Sequence, residues 1–573
     1  MDSAVGRNSL TLILILAGIF PILFIIVFFF FPVTSIALYG LSDEDGHFTM
    51  ARIVSLLSSP YYGRIIGFTL FQALISTIFS VGMGLPGAYI LSHFDFPGKS
   101  IFKSITMIPF VLPSILVVLG FVLLFGNNGI INRLLMSLFH TTEPPLQILY
   151  SFKAIILAHV FYNFPVCTRV VSSVWEHIPP SLSQAARSLG ASRLRIFFTV
   201  TLPQIFSGIM ASASLIFLFC FMSFAIILVL GGGPRYTTLE VEVYRLSKFT
   251  LNLETGSALA VIQSLISLVC IYGYGRLQKK AALAENIQIL KRQPGIKELF
   301  HRSASFFLIM YLCAIVLIII LPLLSVIQHS FLARFGWSGN TRISLRWYKE
   351  ILFPASFSAQ STFLFAAVKN SLFFAFGTLL LAVPFGTIFA YLTLHCKHNQ
   401  PGRAITFFES LLMLPMGISS IMLALGYIRL QQLLPSASLN SRLLILCAHT
   451  IIAYPFTIRA TAAVLKGIPQ SVFEAAASLG AGRARSFFTI DVPLVRSGLL
   501  ISAAFAFAIS IGEINATLML SPPGLSTIPI AMYRMIASYN FFGACALGTI
   551  LIVLCGIVFL VIDRLGKDFI EGD

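Results

Sequence analysis

The chain has 573 residues, of which 57% are hydrophobic and only 10% charged, with a mean hydropathy of +0.92 and a formal net charge of +17. A water-soluble domain carries about 25% charged residues, so this chain cannot cover a water-facing surface, and lipid must be the solvent for most of it. The excess of Lys and Arg does not mark a nucleic-acid binder, because in a membrane protein such residues gather in the loops that set orientation.

A bilayer core of about 30 Å takes roughly 20 apolar residues per helix. Such stretches lie near 9–38, 63–92, 104–126, 151–175, 204–230 and 256–275, and again near 304–330, 364–394, 405–432, 443–466, 494–520 and 541–562. Alternating β-barrel patterning is absent, so these are predicted helices. The apolar run from Leu10 to Pro32 is too long for a signal-peptide core, and no small-x-small site follows it, which predicts a retained first span. The loop 39–52 carries Asp43, Glu44 and Asp45 and is expected outside. The loops 93–103, 176–203, 276–303, 395–403 and 466–496 are basic and are expected inside, together with both termini. One segment opposes the rule: 331–362 holds Arg334, Arg342, Arg346 and Lys349, yet the count of spans puts it outside. The eight cysteines are scattered through apolar runs without metal-ligand spacing and read as buried structural thiols.

The chain repeats itself. Residues 181–203 read SLSQAARSLGASRLRIFFTVTLP, and residues 471–493 read SVFEAAASLGAGRARSFFTIDVP. At one constant offset Gly190 pairs with Gly480, Arg193 with Arg483, Pro203 with Pro493, His159 with His449 and Pro165 with Pro455. Each half has an even number of spans, so the halves insert in the same orientation. The expected organisation is an all-α integral membrane protein of about twelve transmembrane helices in two parallel six-helix repeats. Residues 1–277 form one repeat, 278–303 a cytoplasmic linker and 304–573 the other.

Each repeated segment falls in a long cytoplasmic loop between the fourth and fifth spans of its half. Ser181 with Gln184, and Ser471 with Glu474, form capping-box patterns for a short helix. Prolines 179, 180 and 469 stop the preceding span from running on. Gly190 and Gly480 stand where that helix ends and the chain turns left-handed. Ala185 and Ala186, like Ala475 and Ala476, leave a flat helix surface that another protein's groove can approach. A membrane-surface anchor would need a stronger apolar face. Two docking helices for a partner are therefore expected.

These segments resemble the E-A-A…G cytoplasmic loop of permeases in ATP-binding-cassette importers. The resemblance implies a type I importer permease-like fold. It also implies two ATP-binding-cassette ATPase subunits seated on the loops, with Gln184, Ala185, Ala186, Gly190, Arg193, Glu474, Ala475, Ala476, Gly480 and Arg483 as the coupling residues. The first copy departs in having Gln184 for the usual acid and an added Arg187. No G-x-x-x-x-G-K-[ST] occurs, so ATP and Mg are expected on the partner, the chain carries no catalytic residues or metal, and it is not itself an enzyme. Residues 156–171 (ILAHVFYNFPVCTRVV) and 215–244 (LIFLFCFMSFAIILVLGGGPRYTTLEVEVY) resemble fused thiamine or thiamine pyrophosphate importer permeases. Fused ferric-iron permeases share the layout. The resemblance implies a bacterial inner membrane location and a periplasmic or lipid-anchored substrate-binding protein.

Charged groups within spans are costly and need a partner or a path. Glu513, in Ser510-Ile511-Gly512-Glu513, fits two roles: lining the translocation path with Ser510 and Asn515, or a packing hydrogen bond to a residue such as Asn515. His159 and His449 are expected to make matching structural hydrogen bonds at helix ends. A secondary transporter or channel would give the duplicated loops no purpose. An intramembrane enzyme would need a nucleophile–base pair that the sequence does not show.

Overall fold

The computed structural model describes residues 16–43, 45–285, 304–335, 340–353, 359–399, 403–435, 439–468, 470–480, 489–490 and 492–567. Residues 286–303 of the predicted linker lie outside them, while 278–285 continue the helix Leu253–Glu285. Among the described residues eleven helices are long and apolar enough to cross a membrane, and a bent pair makes a twelfth candidate. Among the described residues the only strands are β1 (Leu332–Phe335) and β2 (Asn340–Ile343), an antiparallel pair.

Four stretches that read as continuous spans are broken. In the third, the helix Lys99–Val111 stops, Leu112 and Pro113 are extended, and the chain resumes at Ser114–Phe125. Proline forces its predecessor out of helical geometry, which fixes this break at Leu112. In the matching ninth, Phe407–Gly417 and Ser420–Leu433 meet at 92°. The Ser419 hydroxyl there accepts from the amides of Ile421 and Met422 at 3.1 and 3.4 Å, capping the new helix. The fifth breaks between Phe221 and Ala225, and the eleventh between Gly512 and Asn515.

The chain divides into two compact units that are not the two sequence repeats. One comprises 1–50, 246–258 and 329–573; the other comprises 51–245 and 259–328. Each repeat therefore gives its first span to the unit built mainly from the other.

In the first unit the opening span Leu16–Gly40 packs on Ser420–Leu433. The Tyr427 hydroxyl donates to the Phe28 carbonyl at 2.7 Å, and Phe385 meets the Phe24 ring at 5.1 Å. Gly426 lets Pro32 in: a Cβ there would stand 2.7 Å from the Pro32 oxygen. In the second unit Ile315 and Ile319 of the seventh span join a buried cluster with Val117, Val118, Phe121 and Phe161. Pro322 rests on Gly120, where a Cβ would lie 2.8 Å from the proline ring. Gly426 and Gly120 are the matched residues of the repeat, as are Pro32 and Pro322, so one contact design serves both exchanged spans. Gly426→Ala should cost about 1–3 kcal/mol, because the obstructing atom is backbone and cannot rotate away. A lowered thermal unfolding midpoint in detergent would register it.

Candidate functional site

The first helix expected to dock is Pro180–Ser188. The capping box expected at Ser181 does not form. The N-cap is Pro179 without a side-chain cap, because Pro180, with its fixed φ and missing N–H, takes the first helical position itself. The far end follows expectation. The amide of Gly190 donates to the Arg187 carbonyl at 2.9 Å and that of Ala191 to the Ala186 carbonyl at 3.1 Å, with Gly190 at φ +80°. This paired closure satisfies the last carbonyls and needs a residue at ease with positive φ. Ser192 then caps Arg193–Ile196, accepting from the Arg195 amide at 3.4 Å. A wide helical turn, Phe197–Thr201, leads into Leu202–Phe221. Gln184, Ala185, Arg187 and Arg193 are exposed, while Ala186 is half-buried.

Its counterpart in the second repeat, Gln470–Ser478, has the same C-terminal pattern. The Leu479 amide donates to the Ala475 carbonyl at 3.1 Å, matching Leu189 to Ala185 at the same distance, and Gly480 stands at φ +77°. Ser478 bonds back to the Glu474 carbonyl as Ser188 does to Gln184. Glu474 and Ala475 are exposed and Ala476 is buried. Arg483, with 481–488, lies outside the described residues.

Sequence reasoning passed over one pair. Leu189 and Leu479 are 87% and 89% exposed, more than any other large apolar side chain described. Both copies read Ser-Leu-Gly, and that identity was the available signal. A bare leucine held on a closed turn suits insertion into a partner's pocket, where burying it is worth about 1.5–3 kcal/mol. Leu189→Asp with Leu479→Asp should weaken co-purification of an ATPase partner at least about tenfold, with insertion unchanged; a pull-down from detergent extract measures it.

The loops are tied firmly to their spans. A Cβ at Gly208 would stand 3.0 Å from Val174, and one at the matched Gly498 would stand 3.0 Å from Val464. The fourth and fifth spans therefore close together just inside each docking loop. In the first copy Lys103 also pairs with Glu176 at 3.8 Å, at the foot of the fourth span. The neighbouring Lys99 donates to the Phe94 carbonyl at 2.9 Å, and burial, with Lys103 beside it, holds its pKa below the usual lysine range.

Deeper in, each half carries a buried polar cassette across its second, fourth and fifth spans. His159 bonds Ser76 and Ser223, each at 2.9 Å. His449 bonds Ser510 at 2.7 Å and Thr517 at 2.8 Å, and Ser510 donates to Thr378 at 3.1 Å. Both histidines lie inside helices, Phe152–Glu176 and Ser441–Gly467, rather than at the helix ends expected. There they pin the broken fifth span to its neighbours.

Glu513 occupies the second of these breaks. Its carboxylate accepts from the amides of Ala516 at 2.8 Å and Thr517 at 2.9 Å and from the Thr517 hydroxyl at 2.6 Å, with His449 Nε2 at 3.4 Å. It caps the helix Asn515–Leu520, where the freed amides of a broken span have no water to turn to. Asn515 takes no part in this cap and donates to Ser420 at 3.2 Å. The matching residue in the first half is Ser223, so the acid belongs to one repeat only.

Comparison with known proteins fits this arrangement. The family described as binding-protein-dependent transport system inner membrane component matches residues 80–283, a range that includes the loop 176–203. A putative 2-aminoethylphosphonate transport system permease protein of Salmonella typhi is 32% identical over 265 residues, covering 46% of this chain and 89% of that protein. The chain belongs to this permease family. Thiamine transport system permease proteins match at greater length. That of Haemophilus influenzae is 26% identical over 549 residues, 95% of each chain. That of Brucella abortus is 26% identical over 507 residues, 88% of each chain. As a family member the chain is a multi-pass membrane transport subunit, and the permease fold predicted from its repeats stands.

Proposed function

We propose that this permease carries thiamine, or its phosphate esters, inward across a bacterial cytoplasmic membrane, driven by a separate ATPase. The observation that carries the substrate is length. The thiamine permeases align from end to end with both repeats, whereas the aminoethylphosphonate permease covers under half of the chain.

Two ATPase subunits seat on the loops around Gly190 and Gly480, with both termini on their side of the membrane. A soluble or lipid-anchored binding protein delivers substrate from the other side. Closure of the ATPase pair displaces each docking helix as a rigid piece, because its C-terminal turn is hydrogen-bonded shut. The Gly208–Val174 and Gly498–Val464 contacts pass that displacement to the fourth and fifth spans together. The histidine cassettes carry it to the second span. A cation such as thiamine is then moved by rigid-body change, with no chemistry on this chain.

The test is uptake in proteoliposomes containing the chain, its ATPase and its binding protein, with labelled thiamine and labelled ferric iron offered separately. ATP-dependent thiamine uptake is expected. Iron uptake instead would keep the importer and change its cargo. Uptake of either without ATP would overturn the coupling role of the loops.

A further inference from the structure

One buried polar seam of the first repeat is not copied in the second. Gln72, Ser76 and Ser80 follow one another at four-residue spacing on the second span, Pro60–His93, and so share a helix face. His159 and Asn163 share a face of the fourth span, Phe152–Glu176, in the same way. Both faces meet the fifth span beside its break. The Gln72 side-chain amide donates to the Cys220 carbonyl at 2.9 Å and to the Thr69 carbonyl at 3.2 Å. The Asn163 side-chain amide donates to the His159 carbonyl at 2.9 Å and to Cys220 Sγ at 3.3 Å. Cys220 is the last residue but one of Leu202–Phe221, where the break begins.

A primary amide has two donors, and in each of these residues both are used. The carbonyls that the two nitrogens face fix which way round each amide sits. What the seam has left over is acceptors. Gln72 Oε1, Asn163 Oδ1 and Ser80 Oγ have no hydrogen-bond partner among the described residues, and the three side chains belong to residues at most 2% exposed. Interiors pair such groups, and polar side chains held inside a membrane mark paths and sites. Packing alone does not ask for them here. Ser76 matches Thr378 and His159 matches His449, and at the same registers the second repeat has Phe374 for Gln72, Ala382 for Ser80 and Ala453 for Asn163, all buried. The sibling seam closes around its histidine with apolar side chains, the Phe374 ring 5.5 Å from that of His449.

We propose that Gln72, Ser80 and Asn163 form a cargo site within the membrane, in the first repeat alone, and that it takes a hydrogen-bond donor, an amino or ammonium group. The break at 222–224 gives the fifth span a joint beside these residues, and the two carbonyl oxygens accept from cargo when that joint parts from the second span. A carboxylate or phosphate group would meet the lone pairs of both amides and is turned away at this point. Thiamine carries an amino group on its pyrimidine ring, so the site deepens the cargo reading above and rests on it.

The experiment is ATP-driven uptake in proteoliposomes holding the intact chain, its ATPase and its binding protein. Labelled thiamine is compared with the analogue in which a carbonyl oxygen replaces the pyrimidine amino group. Gln72→Leu with Asn163→Ala removes both acceptors and should cut the native preference for thiamine over the analogue at least about tenfold. The same binding protein serves native and variant chains, so its own selectivity cancels from that comparison. Only molecules that transport enter the ratio, so a misfolded fraction does not alter it. Ser80→Ala, which installs the sibling's residue and breaks no hydrogen bond seen among the described residues, should move the ratio the same way by a smaller factor. If the double variant transports nothing, Ser80→Ala decides. An unchanged ratio in every variant that transports would overturn the proposal and leave the amides as packing groups, while thiamine uptake by the native chain would keep the cargo reading. Native uptake of ferric iron in place of thiamine would remove both.

Discussion

Gly480→Glu should abolish ATP-driven uptake while leaving the chain inserted and its spans folded. Gly480 is at φ +77°, and a Cβ built on it meets nothing within 4 Å. The added Cβ therefore meets no obstacle among the described residues. Its backbone cost, about 1–2 kcal/mol for a side chain in the left-handed region, is confined to an exposed turn. What changes is the surface presented outward: a carboxylate and its methylenes beside Leu479, the most exposed large apolar side chain described. Seating that charge in an apolar pocket without a partner is prohibitive. The measurement is uptake together with ATPase co-purification and a detergent melting curve. Loss of uptake with a near-native melt is expected. Gly480→Asn, which tolerates the same φ, should keep most of the uptake, and full activity of Gly480→Glu would remove the docking assignment.

Glu513→Ala should lower stability by about 3 kcal/mol or more, since it leaves the amides of Ala516 and Thr517 without an acceptor where water does not reach. It also strips His449 of a neighbour at 3.4 Å. Glu513→Gln keeps one acceptor oxygen and should fall between native and Ala. Denaturation midpoints of the purified chain decide this. If Glu513→Ala melted like the native protein but lost uptake, the carboxylate would belong to the translocation path rather than to the helix break.

The turns at Gly190 and Gly480 were legible because they use short-range rules: a glycine after an alanine-rich helix, written twice at one spacing. The helix start was misread for an equally local reason, since Pro180 outcompetes Ser181 for the first helical position. The span breaks were harder. Residues 222–224 and 513–514 include no proline, and apart from Ser223 and Glu513 they are apolar. The partners that hold them open, Ser76, His159, Thr378 and His449, lie far away in the chain. The exchange of first spans left no sequence signal in its own residues, because a helix apolar all round does not say which neighbour it will choose. Glu513 announced itself as costly, but its role depends on a break that the sequence hid.

The exchange also sets a timetable. Phe28 and the tyrosine that reaches its carbonyl are 399 residues apart. At a synthesis rate of about 5–20 residues per second, the first span waits roughly 20–80 s in the bilayer before Tyr427 is made. For most of that interval the eighth and ninth spans that cover its Phe24 and Phe28 do not yet exist, and lipid takes their place. A polar or charged residue that the finished unit would shelter would be exposed to hydrocarbon throughout the wait. The span from Leu16 to Gly40 contains no Asp, Glu, Lys, Arg, His, Asn or Gln, which is the composition such a delay demands.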